Sequence, residues 1–87
     1  MNKEDLLQNI ENGVREFKDK ILEGFSLEDI KCDRLMFEKC TFCDMKLICN
    51  QIEWIEFEEC SVINSEISGK IQDTLWVFSN SNFSKCK

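Results

Sequence analysis

A five-residue repeat runs through the middle of this chain and restricts the folds that it can adopt. When residues 25–69 are divided into consecutive blocks of five, the third position is apolar in all nine blocks and the first position in seven. The nine third positions are Leu27, Cys32, Phe37, Phe42, Leu47, Ile52, Phe57, Val62 and Ile67. An α-helix repeats every 3.6 residues or so and a β-strand about every two, so neither produces an uninterrupted period of five. A solenoid with sides five residues long does, and we therefore predict stacked coils.

The repeat resembles that of the pentapeptide-repeat family. The segments FEKCTF, FEECSV and SNFSK carry the resemblance, together with the tandem blocks of apolar-x-apolar-x-x. It covers residues 25–67 and resumes near Phe83, one residue out of the earlier register. The resemblance implies a mostly β protein, with residues 25–87 folded as a short right-handed quadrilateral β-helix of about three coils. Four blocks would form one square coil, with two inward side chains in each block.

Coils of twenty residues would place similar side chains above one another. The predicted interior columns are Leu27 with Leu47 and Ile67, Phe37 with Phe57 and Val77, Phe42 with Val62, and Cys32 with Ile52. Neighbouring strands lie about 4.8 Å apart, so these side chains would be in contact. The likeness within each column supports this register independently of the five-residue repeat.

The N-terminal segment follows a helical period instead. From residue 2 to about 23, the apolar residues Leu7, Ile10, Val14, Phe17 and Ile21 are spaced alternately by three and four. Asn2 is placed to cap the start of such a helix and Gly24 to end it. We predict that residues 1–24 form an amphipathic helix that covers the first coil, within a single domain. The same spacing is also that of a coiled-coil dimer seam.

The other end of the predicted solenoid is apolar and has no evident cap. An uncovered apolar end usually has a partner, so the sequence predicts a homodimer. The candidate contact residues are Trp76, Phe78 and Phe83 at this end, and Leu7 and Val14 on the helix.

The composition limits the chemistry available to the chain. It contains no histidine and has a net charge of −6, which excludes imidazole-based catalysis and argues against direct binding of nucleic acid. We find neither a signal peptide nor an apolar run long enough to span a membrane, so we expect a cytoplasmic protein whose six cysteines are reduced. We predict no catalytic, cofactor-binding or metal-binding residue, and therefore no enzyme.

Cys40 and Cys43 form a C-x-x-C pair, a spacing also found in metal and redox sites. In the five-residue register, however, Cys40 is an inward first position and Cys43 an outward fourth position. The two thiols would point to opposite sides of the wall, so they would neither chelate one metal nor form a disulfide. Cys40 would instead stack on Cys60 inside the coil.

Acidic residues also fall into columns. The twenty-residue spacing aligns Asp33 with Glu53 and Asp73, and Glu38 with Glu58, while Glu56 and Glu59 flank them. One interpretation is a solvated surface that keeps the protein soluble. The other is a surface that imitates nucleic-acid phosphates, a property that the resemblance implies because acidic members of the family are associated with DNA mimicry.

These observations lead to a functional hypothesis with two alternatives. The hypothesis is a non-enzymatic inhibitor that presents its acidic face to a DNA- or RNA-handling protein, for example on behalf of a phage or mobile element. The first alternative is a scaffolding protein that works by oligomerising. The second is an immunity or accessory protein for a neighbouring toxin.

Overall fold

The computed structural model describes residues 1–49, 51–69, 75–84 and 86, and it is a parallel β-solenoid with one short N-terminal helix. The helix, α1, spans Lys3–Glu11. The ten strands are β1 (Glu16–Lys18), β2 (Ile21–Glu23), β3 (Cys32–Glu38), β4 (Thr41–Cys43), β5 (Lys46–Cys49), β6 (Ile52–Glu58), β7 (Ser61–Ile63), β8 (Glu66–Gly69), β9 (Leu75–Ser79) and β10 (Asn82–Ser84). No helix in the described part of the chain is both long enough and apolar enough to cross a membrane.

The strands stack into three parallel sheets that form the sides of the coils. Their orders are β1-β3-β6-β9, β2-β4-β7-β10 and β5-β8. Residues twenty apart pair in register, as Phe17 does with Phe37 and Phe37 with Phe57. The pairs Leu47–Ile67, Phe42–Val62 and Cys32–Ile52 also form as predicted. The predicted mostly β solenoid of about three coils is therefore confirmed.

Two columns of left-handed residues form corners of the coil. Asp19, Lys39, Glu59 and Asn80 lie in one column, and Gly24, Asp44 and Asn64 in the other, all with positive φ. A left-handed residue turns the chain sharply within one or two positions, which lets it pass from one short side of the coil to the next. Small polar residues follow the first column, and their side chains bond to the coil below. Cys40 Sγ donates to Phe17 O at 3.5 Å, Cys60 Sγ to Phe37 O at 3.4 Å and Ser81 Oγ to Phe57 O at 3.3 Å.

The core is a continuous interior column of large side chains. Phe17, Phe37, Phe57 and Phe78 stack with ring centroids 5.1–5.7 Å apart. Phe42 packs edge-on against both Phe37 and Phe57, at 5.0 and 5.2 Å. Aromatic pairs at these separations contribute about 0.5–1.5 kcal/mol each beyond burial alone. The stack therefore joins the successive coils into one core.

The helix is shorter than predicted. It ends at Glu11, and Gly13 follows it with φ 87°, while residues 16–23 form β1 and β2 of the first coil. The sequence after residue 13 fits both the helical period and the five-residue period. As strands, however, it pairs Phe17 with Phe37 and Leu22 with Phe42 and thereby extends the core. Gly24 is accordingly a corner residue rather than a helix cap. The predicted N-cap is confirmed, since Asn2 Oδ1 accepts from the backbone N–H of Asp5 at 2.8 Å.

The helix does cover the first coil, through Leu6 and Ile10 of the apolar stripe rather than through Leu7. Leu6 is completely buried and Ile10 packs against the core, whereas Leu7 remains 39 % exposed. Lys3 Nζ lies 3.6 Å from the Asp29 carboxylate in the turn of the first coil. The cap therefore rests on Leu6 and Ile10.

The last coil is shifted by one residue from the twenty-residue spacing, in agreement with the shifted register expected at Phe83. Cys49 still pairs with Gly69, twenty residues on, but Trp54 pairs with Leu75, twenty-one residues on. The interior column therefore continues from Phe57 to Phe78, and Val77 lies beside Glu56 on the outer surface. The placement of Val77 in this column was wrong because the spacing of paired residues is twenty at Gly69 and twenty-one at Leu75.

Candidate functional site

A surface rich in glutamate lies on the outside of the sheet formed by β1, β3 and β6. We call it the acidic face and define it by the outward residues Glu16, Lys18, Met36, Glu38, Glu56 and Glu58. Each strand alternates an inward phenylalanine with outward neighbours, as in Glu56–Phe57–Glu58, because successive side chains of a strand point to opposite faces. Buried Phe17, Phe37 and Phe57 thus hold the charged side chains in place. A shallow groove of about 390 Å³ crosses this face.

The acidic face has a net charge of −3, from four glutamates and one lysine. Glu38 pairs with Glu58 in adjacent strands, and Lys18 pairs with Glu38 on the other side. The Lys18 Nζ–Glu38 Oε2 distance is 4.0 Å, which is long for an ion pair and leaves both groups accessible. In the neighbouring column, Met36 separates Glu16 from Glu56. Like charges on adjacent strands repel, so this arrangement costs stability unless a cation binds.

Asp33 and Glu53, predicted to belong to the same surface, lie near the start of β3 and β6, away from the acidic face. Arg15 Nε donates to Asp33 Oδ1 at 2.7 Å, and this hydrogen bond lowers the pKa of the Asp33 carboxyl. Arg15 Nη1 also donates to Ile10 O at 2.8 Å, so the same guanidinium connects the helix to the first coil. Asp33 is thus already paired with a cation, whereas Glu53 is exposed.

The other predicted acidic residues are distributed differently. Glu59 is an exposed corner residue in the column that also contains Asp19 and Lys39, so the lysine offsets part of the charge there. Asp73 lies outside the described residues. The acidic face therefore includes Glu38, Glu56 and Glu58 from the predicted set, but not Asp33.

Glu16 belongs to the acidic face but was missed by sequence reasoning. It was assigned to the helix, although the five-residue pattern extends backwards through Phe17 and Leu22 as third positions. Continuing the block count towards the N-terminus would have placed Glu16 in the column of Met36 and Glu56.

The predicted oligomer contacts fall at the two ends of the molecule. Phe78 and Phe83 are 42 % and 43 % exposed, while Trp76 is half-buried against Phe57 with ring centroids 6.3 Å apart. Phe83 packs edge-on against Phe78 at 5.1 Å. Leu7 and Val14 are exposed near the opposite end.

Cys40 and Cys43 have the orientations that the repeat predicts. Cys40 is buried and Cys43 half-buried on the outside, and both are free thiols. A hydrogen bond with the Cys60 sulfur and burial together raise the pKa of Cys40. Cys49, assigned to an outward position from the sequence, is instead buried, and burial raises its pKa to about 12.

Glu23, Cys43 and Asp44 form the one group of potential metal ligands found in the described ranges, with their ligand atoms within 4.8 Å of one another. Burial and the adjacent carboxylates of Asp44 and Glu23 raise the pKa of the Cys43 thiol. Thiolates rather than thiols bind metals, so this arrangement disfavours the binding form of Cys43. The amide of Asn64 already donates to Asp44 Oδ1.

The chain was also compared with known proteins. No protein-family model matches it, and no curated protein is significantly similar to it.

Proposed function

We propose that this chain is a short, divergent pentapeptide-repeat protein that acts in the cytoplasm as a non-enzymatic protein-binding module. Its acidic face would occupy the nucleic-acid site of a DNA- or RNA-handling protein and so inhibit it. The observation that carries the proposal is the set of four outward glutamates, Glu16, Glu38, Glu56 and Glu58, on one sheet with a single lysine.

The rigidity of the sheet supports this function. Carboxylates on adjacent strands are about 4.8 Å apart and those two residues apart on one strand about 6.6 Å, so they form a fixed array of negative charge. A nucleic-acid site is lined by lysine and arginine, which bind phosphates and can bind such an array instead. Because the buried phenylalanines fix the backbone before binding, this chain would lose little conformational freedom when it binds. Complementary charge would also accelerate association.

A double charge reversal on the acidic face tests the proposal. The chain is immobilised and exposed to a lysate of its source cell, and retained proteins are eluted with double-stranded DNA or with poly(A) RNA. We expect a nucleic-acid-handling protein to be retained by the original chain and released by one of these polyanions. Glu56→Lys/Glu58→Lys should weaken that binding by at least about tenfold, because two attractive contacts become repulsive.

Glu28→Lys/Glu66→Lys is the matched control. It makes the same change in net charge at exposed positions on another side of the coil, and it should retain the partner. Equal loss of binding in both variants would show that net charge alone is responsible, and retention by the Glu56/Glu58 variant would exclude the acidic face. Either result contradicts the proposed function.

A further inference from the structure

The two ends of the solenoid differ in how their cores are covered. At the first coil, α1 covers the interior columns, and Phe17 and Leu22 are 4 % and 0 % exposed. At the last coil, Phe78 and Phe83 continue the same two columns, yet each is more than 40 % exposed. The side chains of these two columns are thus buried in the preceding coils and exposed in the last one.

The backbone at this end is also open. β9 and β10 are the last strands of their sheets, and within the described residues each pairs on one edge only, with β6 and β7 respectively. Edge strands are usually protected by charged residues or proline. Residues 74–84 contain neither, and they form the longest uncharged run in the chain, whereas no other such run exceeds six residues.

We propose that two copies of this chain pack end to end through β9, β10 and the rings of Trp76, Phe78 and Phe83. A second copy suits this surface because the contact is uncharged. Most other surfaces of a chain with net charge −6 would repel the same surface of a second copy. A two-fold axis lets each open edge find an equivalent edge on the partner. This inference concerns a different surface from the acidic face and is independent of the proposed function.

The size of the end agrees with a reversible dimer. The three extents of the molecule are 31, 28 and 22 Å, so a cross-section along any of them covers about 600 to 900 Å². Two ends in contact would therefore remove at most about 1,200 to 1,700 Å² from solvent, in the lower half of the range of specific interfaces. We expect dissociation in the micromolar range, since small interfaces without large charge complementarity bind moderately.

Sedimentation equilibrium of the 87-residue chain tests the proposal. Across loading concentrations from about 1 to about 300 μM, the apparent mass should rise from 10.3 kDa towards twice that value. Phe83→Glu should raise the dissociation constant by about 100-fold or more, because it places two charges in the apolar contact. Val14→Glu, the same change at the other end, should leave the dissociation constant unchanged. A monomer at every concentration would overturn the proposal.

A second pair of variants separates loss of dimerisation from loss of folding. Asn82→Lys adds a charge to the open edge of β10, and Ser61→Lys adds the same charge one coil further in, in the same outward column. Both should retain the circular dichroism spectrum of the original chain, and only Asn82→Lys should weaken the dimer. A dimer that survives both Phe83→Glu and Asn82→Lys but is lost in Val14→Glu would place the interface on the helix and refute the inference.

Discussion

Individual residues at the corners determine how tightly this coil can turn. Lys39 and Glu59 adopt φ of 54° and 51°, values that cost an ordinary L-residue roughly 1–2 kcal/mol. The cost is tolerated because each of these two corners is followed by a cysteine that is fixed to the carbonyl of the coil below. Gly24 occupies an equivalent corner in the second column without this cost. Composition alone would not have predicted left-handed lysine and glutamate, since neither residue favours that conformation.

Cys49 should make the protein sensitive to alkali. Its pKa is about 12 in the folded chain and 9.0 for an unperturbed cysteine, so above pH 9 the unfolded chain releases a proton that the folded chain retains. The stabilisation is complete below pH 9 and is lost as the pH rises to 12, at about 1.4 kcal/mol per pH unit. Urea denaturation under reducing conditions at several pH values in this window measures the slope. Cys49→Ala should reduce this slope by the contribution of one proton. An unchanged slope would contradict the raised pKa of Cys49.

The inward position of Cys49 could not be predicted from the five-residue pattern. The pattern assigns the inward place to residue 50, but β5 continues to Cys49 and buries it opposite Gly69. The repeat predicts the spacing of the blocks, but the length of each strand determines which of its side chains is buried.

At the level of elements, the N-terminal segment shows how two periods can compete. Phe17 and Ile21 fit the helical spacing, while Phe17 and Leu22 fit the spacing of five. Pairing with β3 and β4 decides in favour of strands, and such contacts between distant parts of the chain are invisible to a local pattern. The sequence predicted the fold, and three of its seven candidate acidic residues, Glu38, Glu56 and Glu58, lie on the acidic face. It missed Glu16 for the same reason that it extended the helix, and it did not foresee that Arg15 would neutralise Asp33.

The helix cap should depend on Leu6 rather than on Leu7. Leu6→Ala should lower the free energy of unfolding by about 2–5 kcal/mol, because it leaves a cavity above the first coil. Leu7→Ala makes the same chemical change at a 39 % exposed position and should cost less than about 1 kcal/mol. Urea denaturation of the two variants measures both values. Equal losses would mean that both faces of the helix are buried.

At the scale of the whole molecule, a single aromatic column connects all the coils. Phe57 contacts Phe37 below and Phe78 above, so it links the middle of the solenoid to its open end. Each coil contacts only its neighbours, and the stability of such an array depends on these interfaces. Removal of the central ring should therefore weaken the molecule as a unit.

Phe57→Ala should lower the free energy of unfolding by about 3–5 kcal/mol. That is a large fraction of the total for a domain of this size, so the variant should be largely unfolded near physiological temperature. Phe83→Ala is the control, and it should cost less because the ring is 43 % exposed. Urea denaturation followed by tryptophan fluorescence measures both. A loss below about 1 kcal/mol for Phe57→Ala would show that the coils are stable without the shared column.

The position of α1 at one end only has a consequence for how the molecule can assemble. A solenoid open at both ends is a template on which identical chains can add without limit, as they do in fibres. With Leu6 seated over the first coil, the last coil of another copy finds no bare core there to stack upon. Head-to-tail polymerisation is therefore blocked. The helix thereby limits association through the open edge of β9 and β10 to a closed dimer.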